Sequence, residues 1–491
     1  MKTNKLWMAA ALLSSTMYVN AQLIQGSLET GAGLNNGAAG NPASDTDGAA
    51  FFGFEAGFTN TTKDIHGIHN TFIGHRSGRT NFSGRDNSFL GYLSGFDNLD
   101  GVENVFIGSE SGTNNTSGSQ NTFIGQQAGF NTTTNSNNTF TGWHSGFANT
   151  AANNTFYGYQ SGLNNTSGTF NTFTGTGAGR ANISSNGNTY TGYFAGYNAT
   201  GANNTFIGHY SGGAGMNTAA NNTFIGNNSG RVITSGEANV FIGADSGRLT
   251  TTSPYNVFIG TTAGYKTNSA SGSNVFIGTS AGYNNTTGFG SVYVGTSAGL
   301  NSTGGNNVFI GSNAGMNETT GSNKLYIANS NTSTPVIYGD FTAKKIGIGG
   351  INNTYPTADK FPASASGVPV SGYSLFVKGG ILTEEIRIAL QINWADYVFD
   401  DSYKLLSLPE VERYIRENGH LPNVPSAKQI KEEGMAVGEI TVIQQEKIEE
   451  LTLYAIEQNK QLKIQKDQLE NQRKEIEELK AAVKALVANK Q

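Results

Sequence analysis

The sequence predicts a mainly β protein: a repetitive β-solenoid (β-roll) shaft of about 17 residues per coil, then a small α+β domain, then a C-terminal coiled-coil helix. Three observations predict this. A glycine-bearing motif recurs along most of the chain, the composition is rich in glycine and poor in charge, and the last fifty residues carry an unbroken heptad pattern.

The repeat comes first because it sets the architecture. A pattern close to Asn-(Thr/Val)-Phe-(Ile/Thr)-Gly-x-x-(Ser/Ala)-Gly occurs sixteen times, with its first glycine running from Gly53 to Gly311. The fifteen intervals between those glycines average 17.2 residues, and a second glycine follows four residues later in every copy, from Gly57 to Gly315. Seventeen residues are too few for a helical hairpin repeat or a propeller blade, and suffice for two short strands and two turns. Phe and Ile or Val suit a pleated surface, whereas glycine permits positive φ at corners and close approach of coils. The Asn-Asn-Thr clusters between strands read as corner asparagines rather than glycosylation sites.

Parity adds a statement about assembly. In Asn-Thr-Phe-Ile-Gly the Phe and Ile are adjacent, so in a strand they point to opposite faces. One of them, Phe206 or Ile207 for example, fills the coil, and the other leaves an apolar stripe along the shaft. Burying that stripe against sister chains resolves the exposure, as would a wide coil with a two-layer core. Sixteen coils at about 4.8 Å each make a shaft of roughly 75 Å. Residues 51 to 315 resemble the head of trimeric autotransporter adhesins, whose repeats also carry a short apolar strand ending in Ile-Gly. No C-terminal membrane β-barrel pattern accompanies them here, so that family's anchor is missing.

Ahead of the repeats, Lys2 and Lys5 begin a basic start, Leu6 to Val19 is mostly apolar, and Val19-Asn20-Ala21 offers a cleavage site. Residues 1–21 are therefore expected to be a signal peptide and 22–50 a leader, with the mature chain secreted or at the cell surface. The apolar run is too short to span a bilayer comfortably. Beyond the shaft (51–320), residues 321–378 read as a β connector and linker. Strands are expected at Lys324–Ile327, Pro335–Phe341, Lys345–Gly349 and Ser374–Val377, with a Pro/Ser/Ala-rich linker over 351–372.

Residues 379–440 form the small α+β domain. A helix over 409–417 starts at Pro409 and ends at Asn418-Gly419. The block 374–460, with Trp394-Ala395-Asp396-Tyr397-Val398-Phe399 and Asn418-Gly419-His420-Leu421-Pro422, resembles the C-terminal module of cell-surface and tail-fibre-like proteins of the Bacteroidetes. More distantly it is similar to the intramolecular chaperone domain of phage tail spikes. That resemblance implies a domain that trimerises its β-rich stalk and, in many members, releases itself through a Ser/Lys pair. With the family's Ser-Asp-x-Arg-x-Lys motif aligned on Arg387, Glu384 stands at the serine position and Ala389 at the lysine position. A carboxylate cannot act as the serine nucleophile and alanine offers no base, so no self-cleavage is expected.

Residues 441–491 give six heptads. Ile448, Ala455, Leu462, Leu469, Ile476 and Val483 fall at a; Leu451, Leu479 and Leu486 share d with Gln458, Gln465 and Gln472. These nine apolar residues are the expected trimerisation seam, compatible with three strands.

Other chemistries are not signalled. A formal net charge of −5, and no basic block before the heptads, exclude a nucleic-acid partner. Cysteine is absent, which removes disulfides and thiolate metal sites. The histidines (His66, His69, His75, His144, His209, His420) form no zinc motif, and no glycine pair continues into a phosphate loop. No nucleophile stands beside a base, no metal or cofactor is expected, and no outward Thr-x-Thr array able to bind ice or glycan is read. The sequence thus points to a non-enzymatic, secreted, adhesin-like trimeric fibre whose receptor or glycan it does not name. The alternatives are a self-processing fibre and a tail-fibre component of a phage or injection system.

Overall fold

A computed structural model describes residues 30–32, 48–60, 67–350, 361, 364–365, 368–369, 371–389 and 394–489. The expected signal peptide, most of the leader, His66 and most of the 351–372 linker lie outside the described residues. The chain divides into two compact units: residues up to 360 with 375–378, and residues 361–374 with 379–491.

The first unit is a β-solenoid of about sixteen turns. Sixteen three-residue strands, from Ala50–Phe52 to Val308–Ile310, each pair in parallel with the next. The register is uniform: Phe206 lies opposite Phe224, and Ile207 opposite Ile225. Only one such strand forms per coil, not two. The remaining residues turn through corners, yet their backbones still bond from coil to coil, as in Gly78 N–H to Ser94 O and Thr80 N–H to Phe96 O.

The parity question has a definite answer: the aromatic residue is inside. Phe72, Phe89, Phe106, Phe123 and their successors are buried, and the flanking Thr/Val and Ile/Thr face outward. The rings form one continuous stack, with neighbouring centroids 4.6 to 5.1 Å apart from Phe51 to Phe309. Both motif glycines exist for this stack. A Cβ on Gly129 would lie 2.5 Å from Cε2 of Phe123, so the second glycine makes room for the ring of its own coil. Gly125 has φ +131° and a Cβ there would lie 2.5 Å from Gly142 O, so the first glycine lets successive corners nest.

Most of the rest of the core is polar, and here the corner-asparagine expectation is half corrected. In the Asn-Asn-Thr runs that lead into a shaft strand the first asparagine is a left-handed corner, as at Asn153 and Asn203, but the second is buried, as at Asn154 and Asn204. Buried amides are tolerated because most of their polar atoms are bonded from neighbouring coils. Asn70 Oδ1 accepts from Asn87 N–H at 3.0 Å, while Asn70 Nδ2 donates to Gly84 O at 2.7 Å. A second ladder bonds amide to amide: Asn81 to Asn60 at 2.6 Å, Asn98 to Asn81 and Asn115 to Asn98 at 2.7 Å. A third column holds small residues, with Ser94 Oγ donating to Phe106 O at 2.9 Å. Each coil therefore pairs one aromatic ring with hydrogen bonds that fix its register.

The solenoid closes by changing direction. Lys324–Ile327 adds the last parallel rung, through Leu325 to Ile327, and Ile337–Asp340 and Lys345–Ile348 then run antiparallel. Leu375–Val377 pairs in parallel with Lys345–Ile348. The ring stack ends in the same place: Tyr326 meets Phe309 edge-on at 88°, and its hydroxyl donates to Glu318 Oε2 at 2.6 Å. Such a cap covers a sheet edge that would otherwise recruit another chain.

The second unit contains a 3-10 turn, Ala395–Phe399, and three helices among the described residues: α1 (Leu408–Asn418), α2 (Ala427–Glu433) and α3 (Val437–Ala488). α1 carries Pro409 in its first turn, Ser407 N–H bonded to Glu410 at 2.8 Å, and left-handed Gly419 at its end. α2 is capped reciprocally by Ser426 and Gln429. α3 has 52 residues, about 78 Å at 1.5 Å rise per residue.

Candidate functional site

The fold builds three candidate surfaces. The first is the seam on α3. Ile448, Leu451, Ala455, Leu462, Leu469, Ile476, Leu479, Val483 and Leu486 all lie on this one helix with exposed side chains. Every residue from Ala455 to Asn489 is exposed. Among the described residues nothing covers this stripe, and helices in proteins draw most of their stability from packing such a face rather than from propensity.

The start of α3 is anchored differently. Val442, Glu446 and Glu449 are buried, and the turn Ala395–Phe399 buries Ala395 and Val398. Of the two buried carboxylates, Glu449 accepts from Gln445 Nε2 at 2.9 Å. Glu446 accepts hydrogen bonds from Tyr397 Oη, Asn423 Nδ2 and Lys447 Nζ. Lys447 also donates to Glu450 at 2.9 Å, and the Tyr403 hydroxyl donates to Glu450. Tyr454 Oη reaches Leu406 O. Desolvation raises the Glu446 carboxyl, but the bonds from Lys447, Tyr397 and Asn423 outweigh it and hold it below the usual range. The hydrogen bond to Glu446, then burial, pushes the Tyr397 phenol up to about 12. The sequence signals none of this network, since Tyr397 and Glu446 are 49 residues apart.

Glu384 and Ala389 are both exposed. A hydroxyl–amine pair of the kind that cleaves a peptide cannot be assembled from these two side chains. His420 sits in its turn, with Nδ1 3.0 Å from Leu421 O and its ring edge-on to Tyr414.

The second surface is the outward face of the solenoid sheet. Its two columns are mostly Thr or Val at the first strand position and mostly Ile at the third, for example Val105/Ile107, Thr205/Ile207 and Val240/Ile242. Thr-x-Thr strands do occur in it, against the reading of the sequence: Thr139/Thr141, Thr172/Thr174 and Thr189/Thr191 all face outward. They were missed because the face of each residue depends on which of Phe and Ile lies inside.

The third surface is a set of side-chain ladders on the corners. After the first glycine come Phe54, His75 and Tyr92, stacked at 5.3 and 5.4 Å, then Trp143 and Tyr159 at 4.9 Å, and Tyr193 and His209 at 5.2 Å. Beyond the second glycine, Arg79 is sandwiched between Phe58 and Phe96 and also donates to Glu55. Arg79 first, with help from Arg76, keeps the Glu55 carboxyl below its ordinary value. His69 bonds Asp86 at 3.0 Å, and His144 lies on Trp143 at 3.4 Å. The described histidines are thus engaged in turns and ring stacks, and no group of three His, Asp or Glu able to hold a metal occurs among the described residues. No described helix is long and apolar enough to cross a membrane.

Comparison with known proteins finds no matching family, no matching curated protein and no matching solved structure. A β-solenoid fold is compatible with a fibrous or adhesin-like structural protein.

Proposed function

We propose that this chain is a secreted, non-enzymatic fibre protein of the cell surface that assembles as a homotrimer, with residues 379–491 joining and registering three chains and remaining attached. One observation carries the reading: α3 presents a full heptad seam that no described residue of its own chain covers. The outward Val/Ile and Thr/Ile columns of the shaft support it, because a stripe of this kind invites burial against copies of itself. The tail-spike chaperone resemblance supplies the logic of the order. Pairing repeated segments in the correct register is slow, and a coiled coil that first holds three chains together raises their local concentration.

The absence of a nucleophile at Glu384 and of a base at Ala389 supports retention of the module. The test is the mass of residues 22–491, by light scattering for the assembly and by denaturing mass spectrometry for the chain. Three intact chains are expected. A monomer would remove the assembly, and a chain shortened by roughly its last hundred residues would make the module a peptidase.

A further inference from the structure

Four adjacent coils, with strands Thr139–Thr141, Thr155–Tyr157, Thr172–Thr174 and Thr189–Thr191, combine three features. First, the outward third position changes character. It is Phe52 and then Ile or Leu in the five coils before them, and Ile or Val in the seven after, but here it is Thr141, Tyr157, Thr174 and Thr191.

Second, large rings are exposed on these coils. Tyr157 is 60% exposed, Tyr159 49% and Tyr193 45%. The corner ladder also lacks one rung. Trp143 stacks on Tyr159 and Tyr193 on His209, but between Tyr159 and Tyr193 stands Thr176. Two coils separate those rings by about 10 Å, twice the strand spacing. The face of Tyr159 away from Trp143 is therefore turned toward a coil with no ring of its own in the ladder. Phe194 folds over Gly177 against Tyr193, at 4.1 Å, and closes the far side.

Third, the region is almost without charge, a feature it shares with the coils between Lys266 and Glu318. Between Glu110 and Arg231 the single Asp, Glu, Lys or Arg is Arg180. Its guanidinium is occupied, lying over the Tyr197 ring at 5.4 Å.

We propose that this face binds a neutral polysaccharide, one pyranose ring lying on Tyr159 in place of the missing rung. The reasoning is chemical. A sugar ring offers an apolar C–H face to an aromatic ring and a rim of hydroxyls to Thr174 and Thr176, the pairing of ring and few polar groups that small-ligand sites use. Four coils span about 15–20 Å, room for several sugar units. A second copy of this chain is the poorer occupant, because a dry contact would bury the hydroxyls of Thr141, Thr174 and Thr191 without partners. An anionic polymer finds no free cation here. This inference goes beyond assembly and does not depend on the number of chains.

The test uses residues 22–491 in affinity electrophoresis through gels containing hydroxyethyl cellulose, a soluble β-1,3-glucan, mannan or, as the anionic comparison, alginate. Retardation by at least one neutral polymer is expected. Tyr159→Ser places there the residue that Ser109 already supplies on another coil, and Tyr157→Ile restores the common strand residue. The pair should weaken retention by about tenfold or more, the loss of two ring contacts. Tyr255→Ser, on an exposed ring outside the four coils, should leave retention unchanged. Light scattering of each variant separates binding from assembly. Retention by alginate alone, no retention by any neutral polymer, or a drop in assembly mass in the Tyr157/Tyr159 variant each overturns the proposal.

Discussion

Asn115 donates its side-chain N–H to Asn98 Oδ1 at 2.7 Å, while its own Oδ1, buried in the core, accepts from nothing. The reason is one coil further on, where Thr132 stands at the ladder position and turns its hydroxyl to Asn149 O at 3.2 Å. The amide ladder is thereby cut into two runs, Asn60 to Asn115 and Asn149 to Asn182. Thr132→Asn should fuse them, since its Nδ2 would reach Asn115 Oδ1 and its Oδ1 would accept the second N–H of Asn149. Two bonds gained against one lost predict a stabilisation of about 1 kcal/mol. A rise in the guanidinium midpoint of the shaft transition checks it, and a fall would show that the coil has no room for the amide.

The two adjacent apolar residues of the repeat should behave oppositely. Phe206 is fully buried in the ring stack, between Tyr190 at 4.9 Å and Phe224 at 4.8 Å. Phe206→Ala should cost about 3–5 kcal/mol. Ile207 faces outward, and Thr191 already occupies the same place one coil earlier, in register with it. Ile207→Thr should therefore cost about 0.5 kcal/mol or less in the shaft itself. Chemical denaturation of the two variants side by side distinguishes them; equal losses would mean that the outward column is as buried as the core.

Those two residues also mark how far the sequence could be read. The period, the glycine pairs and the opposition of Phe and Ile were legible, because backbone geometry repeats them in every coil. Which of the two lay inside was not, since both are apolar. It followed that the outward Thr-x-Thr strands were invisible as well. The buried Asn ladders were hidden for another reason: an isolated amide belongs outside, and only stacking at strand spacing pairs its donors and acceptors. Left-handed corners at ordinary residues, such as Leu93 and Gln127, left no glycine to signal them. At the C-terminal end the heptads were plain, but the Tyr397–Glu446 and Tyr403–Glu450 contacts join segments nearly fifty residues apart and carry no local signal.

The anchoring of α3 sets both pH limits of that unit. Glu446 is held below its ordinary value of 4.5, so its contribution is fully present above 4.5 and is lost as pH falls through the lower folded value. Tyr397 is raised from 10 to about 12, so its contribution is present below 10 and is lost as pH rises toward 12. Release of the Ala395–Phe399 turn is expected on both sides. Acid release can be followed by the fluorescence of the neighbouring Trp394 in a Trp143→Phe background. On the alkaline side, ultraviolet titration of Glu446→Gln should show one tyrosine moving down toward 10. An unchanged tyrosine titration would detach Tyr397 from Glu446.

The glutamines of the seam give the sharpest test of assembly through α3. Gln465 and Gln472 occupy d positions flanked by Leu462, Leu469 and Ile476 at a, all on the continuous helix Val437–Ala488. If three copies meet along this stripe, each glutamine places a polar group in the core of the coil, and Gln465→Leu replaces it with a side chain worth about 1.5–3 kcal/mol when fully buried. The gain is repeated in every chain, so the assembly should melt well above the parent, with a concentration-dependent midpoint. Leu469→Glu should do the reverse, burying one carboxylate per chain at the same level and driving the equilibrium to monomers. Sedimentation of the two variants reads both effects. A stable oligomer in Leu469→Glu, together with no thermal gain in Gln465→Leu, would place the contact between chains somewhere other than the heptad seam, with the outward columns of the solenoid as the surface to substitute next.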